Sequence, residues 1–152
     1  MRNINRKYPL FNVDLVSLDP NEQFHFRVST TTNFIAAFMF EGNAVRAQGD
    51  GFLPALNGGL WTNPSEYGLL PMDFTAGSAG ASWLCVSHLV DGQYEAQHIA
   101  VDGTYTLPAG WGFAVATGQV NADGKTATQG LYFGPRDTDI TVSGTGDLII
   151  LK

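Results

Sequence analysis

The sequence predicts an all-β protein, a single-domain, jelly-roll-like antiparallel β-sandwich. Three observations point there. Helical periodicity is absent along the 152 residues, while strand-length segments alternate with clusters of Gly, Pro, Asn and Asp. Turn signals recur every ~8–12 residues, the spacing of sandwiches and small barrels. Glycine is abundant, at 18 residues, and only 14% of residues are charged, against about 25% in an ordinary globular chain. With a net charge of −6, this composition excludes a disordered tail, a coiled coil and a generally basic nucleic-acid binder.

Residues 1–7 hold Arg2, Arg6 and Lys7, three of eight basic residues, and no acid precedes Asp14. They read as a short, solvated basic arm ahead of one domain over residues 8–152. The arm lacks the apolar stretch and cleavage site of a signal peptide. Residues 11–16 and 24–28 alternate apolar and polar with period two, as half-buried strands do. Residues 34–40 are continuously apolar, which fits a strand buried on both faces and is too short to span a membrane. Residues 49–71, with Pro54, Gly58, Gly59, Pro64 and Gly68, read as a long loop carrying short strands or one turn of helix. Loops of that length tend to carry function.

Asp91-Gly92, between residues 81–90 and 93–101, is a two-residue hairpin signal. The register it sets places His88 opposite Glu95 and Cys85 opposite His98. Asp102-Gly103 is expected to turn into 104–107, Pro108-Ala109-Gly110 into 111–120, and residues 121–124 into a strand over 125–133. A last strand pair, 138–143 and 147–151, is expected to fold about Gly144-Thr145-Gly146. Cys85 is the single cysteine, so no intrachain disulfide forms. Between Leu84 and Val86 it reads as a buried, unreactive small hydrophobe.

No catalytic, cofactor or metal residue is assigned. The run from Gly118 to Thr126 places five residues between its glycines where a P-loop has four, and a strand follows it instead of a helix. Ser78 lies in Ala76-Gly77-Ser78-Ala79-Gly80, which lacks the first glycine of a nucleophile elbow. His25, His88 and His98, with Glu95, are too dispersed in sequence to define a metal set. Asp137 and Asp139 lack the further oxygen ligands of a cation loop. Trp61 and Trp111 lie in or beside turns, where an aromatic face can stack on a sugar or anchor a protein partner. Trp83 reads as core.

The run Gly103-Thr104-Tyr105-Thr106-Leu107-Pro108-Ala109-Gly110-Trp111 resembles part of the second cupin motif. Its Gly-to-Pro spacing is one residue short, and Phe113 stands near the place of the motif's metal-binding histidine. The resemblance implies a jelly-roll turn without cupin metal chemistry. In overall profile the chain is also similar to jelly-roll proteins that decorate tailed-phage heads: Thr-, Gly- and Ala-rich, Lys-poor, without disulfide or catalytic set. That resemblance implies a non-enzymatic capsid decoration, or cement, protein: a homotrimer on the virion's coat lattice, made in a host cytoplasm, with no cofactor, no membrane and no direct nucleic-acid contact. Two other readings stand beside it. One is a cupin-like small-ligand or metal-binding enzyme using His25, His88, His98 and Glu95. The other is a carbohydrate-binding module using Trp61 or Trp111.

The candidate interface residues are Arg2, Arg6, Lys7, Phe52, Leu53, Leu56, Leu60, Trp61 and Tyr67. The long loop holds more apolar side chains than a freely solvated loop tolerates. At this charge density, a patch of about 800 Å², one partner's share of a standard interface, carries only two or three charges. Desolvating it is correspondingly cheap. A homo-oligomer is therefore expected. Light scattering at micromolar concentration checks it: a mass above 16.4 kDa is the expected outcome, and a clean monomer refutes it.

Overall fold

In the computed structural model, which describes residues 1–26, 34–48, 51–55, 58–63, 72–88 and 94–152, the chain is all-β. Twelve strands and no helix are found among these residues. They form two compact units, Met1–Gly92 and Gln93–Lys152. Each is built on one antiparallel sheet.

The first unit holds β1 (Arg2–Lys7), β2 (Phe11–Leu18), β3 (Gln23–Phe26), β4 (Phe34–Gln48), β5 (Gly51–Ala55), β6 (Leu60–Asn63) and β7 (Met72–His88). The sheet order is β1-β2-β7-β4-β5, with β3 on β7 and β6 on β4. β7 is the spine. One edge takes β2 along its second half and β3 along its first, and β4 pairs with it on the other. Strands paired on both edges and covered on both faces need unbroken apolar sequence. Trp83, Leu84, Cys85 and Val86 are all 1% exposed or less, and Ala36, Ala37, Phe38 and Met39 are all buried. Residues 36–39 of the continuous run at 34–40 are thus buried on both faces of the strand, as expected. Phe24 and Phe74 pack on the Trp83 indole at centroid distances of 5.8 and 4.9 Å. Each fully buried large apolar side chain contributes roughly 1.5–3 kcal/mol.

The second unit holds β8 (Ala96–Leu107), β9 (Gly112–Ala122), β10 (Lys125–Thr128), β11 (Tyr132–Phe133) and β12 (Ile140–Leu151). Its order is β10-β9-β12-β8, with β11 on β9. Phe113, Val115, Val120, Val142, Leu148 and Ile150 fill one face. Phe133 stacks on Phe113 at 5.2 Å, and the Arg136 guanidinium lies 4.3 Å over the Phe133 ring. The expected turn at 121–124 is a two-residue hairpin. Ala122 pairs with Lys125, and Asp123 (φ 51) and Gly124 (φ 72) both take the left-handed conformation such turns require. A strand returns from this turn, so no phosphate-binding helix follows the Gly118–Thr126 run.

Several expectations are corrected. Residues 2–7 are not a frayed arm: they pair with β2 along their whole length, Arg2 opposite Ser17 through Lys7 opposite Asn12. Within 49–71 the expectation of short strands holds in β5 and β6, which pair with β4. Among the described residues, 81–88 and 94–101 do not pair as the expected hairpin of 81–90 and 93–101. Both edges of β7 are taken, so Cys85 stands between Asp14 and Ala37, and His98 lies opposite Ile149 on β12. Asp91 and Gly92 themselves lie outside the described residues. Residues 125–133 split into β10 and β11 around a turn at Gly130.

Neither Asp102-Gly103 nor Gly144-Thr145-Gly146 is a turn. β8 and β12 run straight through them, Gly103 opposite Gly144. Gly144 and Gly146 mark close approach of backbones, not reversal, whereas Gly103 has φ 111 with open space at its would-be Cβ. A Cβ on Gly144 would overlap the carbonyl oxygen of Gln119, and one on Gly118 that of Thr145. Gly118 also has φ 79. Gly124 has a positive φ too, but nothing lies within 4 Å of its would-be Cβ. Gly124→Ala should therefore cost about 1–2 kcal/mol, the left-handed penalty alone. Gly118→Ala should cost roughly 2 kcal/mol more, because the strand pair must also shift. Denaturant midpoints at unchanged slope check the difference.

Candidate functional site

The titratable side chains fall into separate groups. In the first unit, His25 Nδ1 meets Asp73 Oδ1 at 2.7 Å across β3 and β7, with both side chains exposed. His88, at the far end of β7, is 5% exposed and packs edge-on against the Phe11 ring at 4.5 Å. In the second unit, His98 Nε2 meets Asp147 Oδ1 at 2.8 Å, and Thr117 Oγ1 donates to Asp147 Oδ2 at 2.7 Å. Glu95 is exposed, and its backbone pairs with that of Lys152. Among the described residues no three His, Cys, Asp or Glu side chains gather where a metal ion would bind. The donors present do not fit a cupin metal centre. His25, His88, His98 and Glu95 do not form the set expected of a metal-binding enzyme.

The second-unit group has the parts of a hydrolytic triad in the wrong order. There the imidazole must stand between carboxylate and hydroxyl. Here Asp147 stands in the middle, and Thr117 gives its proton to the carboxylate, where no ring nitrogen can take it. Burial alone would push the Asp147 carboxyl up. The bonds from Thr117 and His98, with the charge of His98, outweigh it and hold the carboxyl below its ordinary range. The group ties β8, β9 and β12 together beside the register shift at Asp147 and Leu148. It is a structural clamp.

A different constellation occupies one face of the first-unit sheet. Register puts Asn5, Asp14, Cys85 and Ala37 in one cross-strand row. Two residues along the strands, on the same face, lies the row Lys7, Asn12, Ser87 and Ile35. Asn5 Nδ2 donates to Asp14 Oδ1 at 2.8 Å, and Asn3 also bonds this carboxylate. Burial nevertheless wins over these bonds and raises the Asp14 carboxyl above its ordinary range. The Cys85 thiol is pushed well up by burial and then by the charge of Asp14, against the bond from Ser87. It is fully buried, as expected, and this environment withholds the thiolate a nucleophile needs. Asn12 Oδ1 is buried without a hydrogen-bond partner among the described residues. An unmade bond at a buried carbonyl costs about 1–3 kcal/mol. In the opposite direction the face becomes apolar, with Val16, Trp83 and Met39 in the next row.

None of Asn5, Asn12 or Asp14 stands out in the sequence. They occupy the polar positions of short segments, which read as solvent-facing. The available signal was Val16, which breaks the alternation of residues 11–16 and puts an apolar side chain on the face of Asn12 and Asp14. The expected interface residues are dispersed. Arg2, Arg6 and Lys7 are exposed on β1. Leu60 and Trp61 are half-buried on β6, and Trp61 packs against the Trp83 core. Phe52 and Leu53 lie on β5, with side chains outside the described residues, as Leu56 and Tyr67 are altogether. Trp111 is half-buried against the second core, with the Lys152 ammonium 5.4 Å from its ring centroid. Neither Trp61 nor Trp111 is an open stacking platform.

No family model and no curated protein matches the chain. Among solved structures it is similar to the protein YhaK from Escherichia coli, with a TM-score of 0.69 at 12% identity over 99% of this chain and 92% of that one. It is similar to HutD from Pseudomonas fluorescens SBW25, with a TM-score of 0.61 at 14% identity over 93% and 77%. A cupin 2 conserved barrel domain protein from Leptotrichia buccalis gives a TM-score of 0.56 at 12% identity over 99% and 86%. These likenesses show the fold: all-β, of the jelly-roll-like class of cupin barrels. They overturn the reading as a phage capsid decoration protein, and with it the virion location. The coat-lattice partner and the trimer, which only that resemblance implied, gain no support from these neighbours. A Thr- and Gly-rich, Lys-poor composition reports strand content and a weakly charged surface. Cupin barrels and capsid jelly rolls share both.

The two buried carboxyls predict opposite pH slopes. Asp14 binds its proton more tightly when folded, so its contribution to stability falls as pH rises from the ordinary value of 3.8 through its raised value. Asp147 binds its proton less tightly when folded, so its contribution is present above 3.8 and is lost as pH falls through its lowered value. Urea unfolding from pH 2 to 7 should show Asp14→Asn flattening the decline above 3.8 and Asp147→Asn flattening the decline below it.

Proposed function

We propose that this is a cupin-like binding protein for a small polar molecule rich in hydroxyl or N–H donors, held on the face formed by Asn5, Asn12, Asp14 and Ser87. The proposal extends to a protein that binds without transforming. Cys85 is held as a thiol, the Asp147 clamp has no activated hydroxyl, and the described donors do not make a cupin metal set. The single observation that carries the reading is Asn12 Oδ1, buried beside the half-buried Asp14 and lacking a donor of its own. A ligand O–H or N–H supplies what is missing there. The Asp14 carboxyl, which burial leaves reluctant to ionise, accepts a further donor beside Asn5 and Asn3 and is eased toward its charged form by it. Lys7, opposite Asn12, sets the cationic limit of the site.

Ligand-observed NMR with a panel of polyols, primary amides and small amines tests the proposal. Binding should shift the side-chain amide signals of Asn5 and Asn12. Asn12→Ala should weaken it about tenfold, the worth of one buried hydrogen bond. A panel without hits, hits that leave those signals in place, or a stoichiometric transition metal required for binding would overturn it.

A further inference from the structure

We propose that the free edge of β1 receives an extended acidic peptide segment as an added β-strand. β1 ends the first-unit sheet and pairs only with β2 among the described residues. All six of its residues are exposed along their whole length, and Ile4, at 43%, is one of four exposed large hydrophobic residues. An uncovered strand edge presents a row of unpaired backbone N–H and C=O groups, the template for strand addition. Alternation places Arg2, Ile4 and Arg6 on one face of this strand, and Asn3, Asn5 and Lys7 on the other. None of Arg2, Arg6 or Lys7 makes an ion pair among the described residues, although the chain carries 14 acids to 8 bases. The neighbouring acids Asp19 and Glu22 are taken by the Met1 amine, at 3.5 and 2.8 Å.

Charge chooses the occupant. Antiparallel pairing of β1 with a second copy of itself, centred on Ile4, sets Arg2 opposite Arg6 twice. Centred between Ile4 and Asn5, it sets Arg2 opposite Lys7; centred on Asn5, it avoids like charges but leaves Lys7 and Arg6 opposite Asn3 and Ile4, with no acid to meet them. Like charges directly opposite are destabilising. An incoming strand with acids four residues apart, about 13 Å along a strand, meets Arg2 and Arg6 at once, with an apolar residue midway on Ile4. The backbone ladder supplies affinity and the two cations supply register. Arg2, Ile4 and Arg6 lie on the opposite side of β1 from Asn5 and Lys7, so the proposal does not depend on whether the Asn12–Asp14 face binds a ligand.

The test is fluorescence anisotropy of a labelled peptide TETVTET against the full chain. Three controls accompany it: TKTVTKT, TETVTET methylated at alternate backbone nitrogens, and an unlabelled single-stranded oligonucleotide as competitor. The acidic peptide should bind at least tenfold more tightly than the basic and N-methylated ones, and more weakly in 0.5 M salt. The exposed double variant Arg2→Glu/Arg6→Glu should reverse the preference to TKTVTKT. If that variant fails to fold, the three peptides on the unaltered protein still decide. Equal binding of the N-methylated peptide shows charge attraction without strand addition and overturns the proposal. So does absence of binding at millimolar concentration, or displacement by the oligonucleotide at lower concentration than by unlabelled TETVTET.

Discussion

In both sheets the long strands pair past their bends because a glycine stands where a neighbour's carbonyl oxygen would otherwise meet a side chain. On β4, a Cβ on Gly42 would overlap the oxygen of Gly80 on β7; on β9, one on Gly118 would overlap that of Thr145 on β12. Each lies near a shift of register, between Gly42 and Ala44 in one sheet and between Asp147 and Leu148 in the other. A bulge changes the direction of a strand, and the missing Cβ lets the partner follow without losing the ladder. Strands of 11 to 17 residues, long beside the usual ~5–6, depend on this device in β4, β7, β9 and β12. Both candidate polar groups hang from it. Asp147 sits at the shift itself, and the row through Asp14 and Cys85 lies on the uninterrupted stretch beyond it.

Two carboxylates show how the sheets use charge. Asp147 is partly buried but held by Thr117 and His98, and the sum favours the ion. Asp14 has two amides and still loses to burial. The difference is burial and partners together: Asp14 lies deeper, while Asp147 has the Thr117 hydroxyl first and then the His98 ring. A group satisfied by its neighbours stiffens a fold, whereas one left short of partners is poised to take a ligand. On that distinction Asp147 reads as architecture, and Asp14 with Asn12 reads as a site.

The same economy governs the surface. A chain with few charges has placed together on one edge strand three cations that make no ion pair among the described residues. Charges on an edge usually guard against self-association, and β1 is guarded against its own copy. That guard is also a filter, since it admits a strand of opposite charge.

How much was legible in the sequence follows from what is local. The all-β class, the two-face burial of residues 36–39, the reversals at Pro108-Ala109-Gly110 and Asp123-Gly124, and the burial of Cys85 depend on chemistry within a few residues of chain, and the sequence determined them. Pairing is not local. Gly144 and Gly146 read as a turn, because a glycine that permits reversal and one that permits close approach look alike until the partner strand is known. Asp91-Gly92 suggested a hairpin, but β7 was already occupied by β2, β3 and β4, and an edge can be taken only once. The site was hidden for the same reason: Asn5, Asn12, Asp14 and Ser87 come from three strands up to 82 positions apart, and each looks solvated in its own segment. Composition fixed the sparse charge. Only the tertiary structure decided which few polar groups burial would leave without partners, because burial belongs to the assembled sheet and not to any one strand.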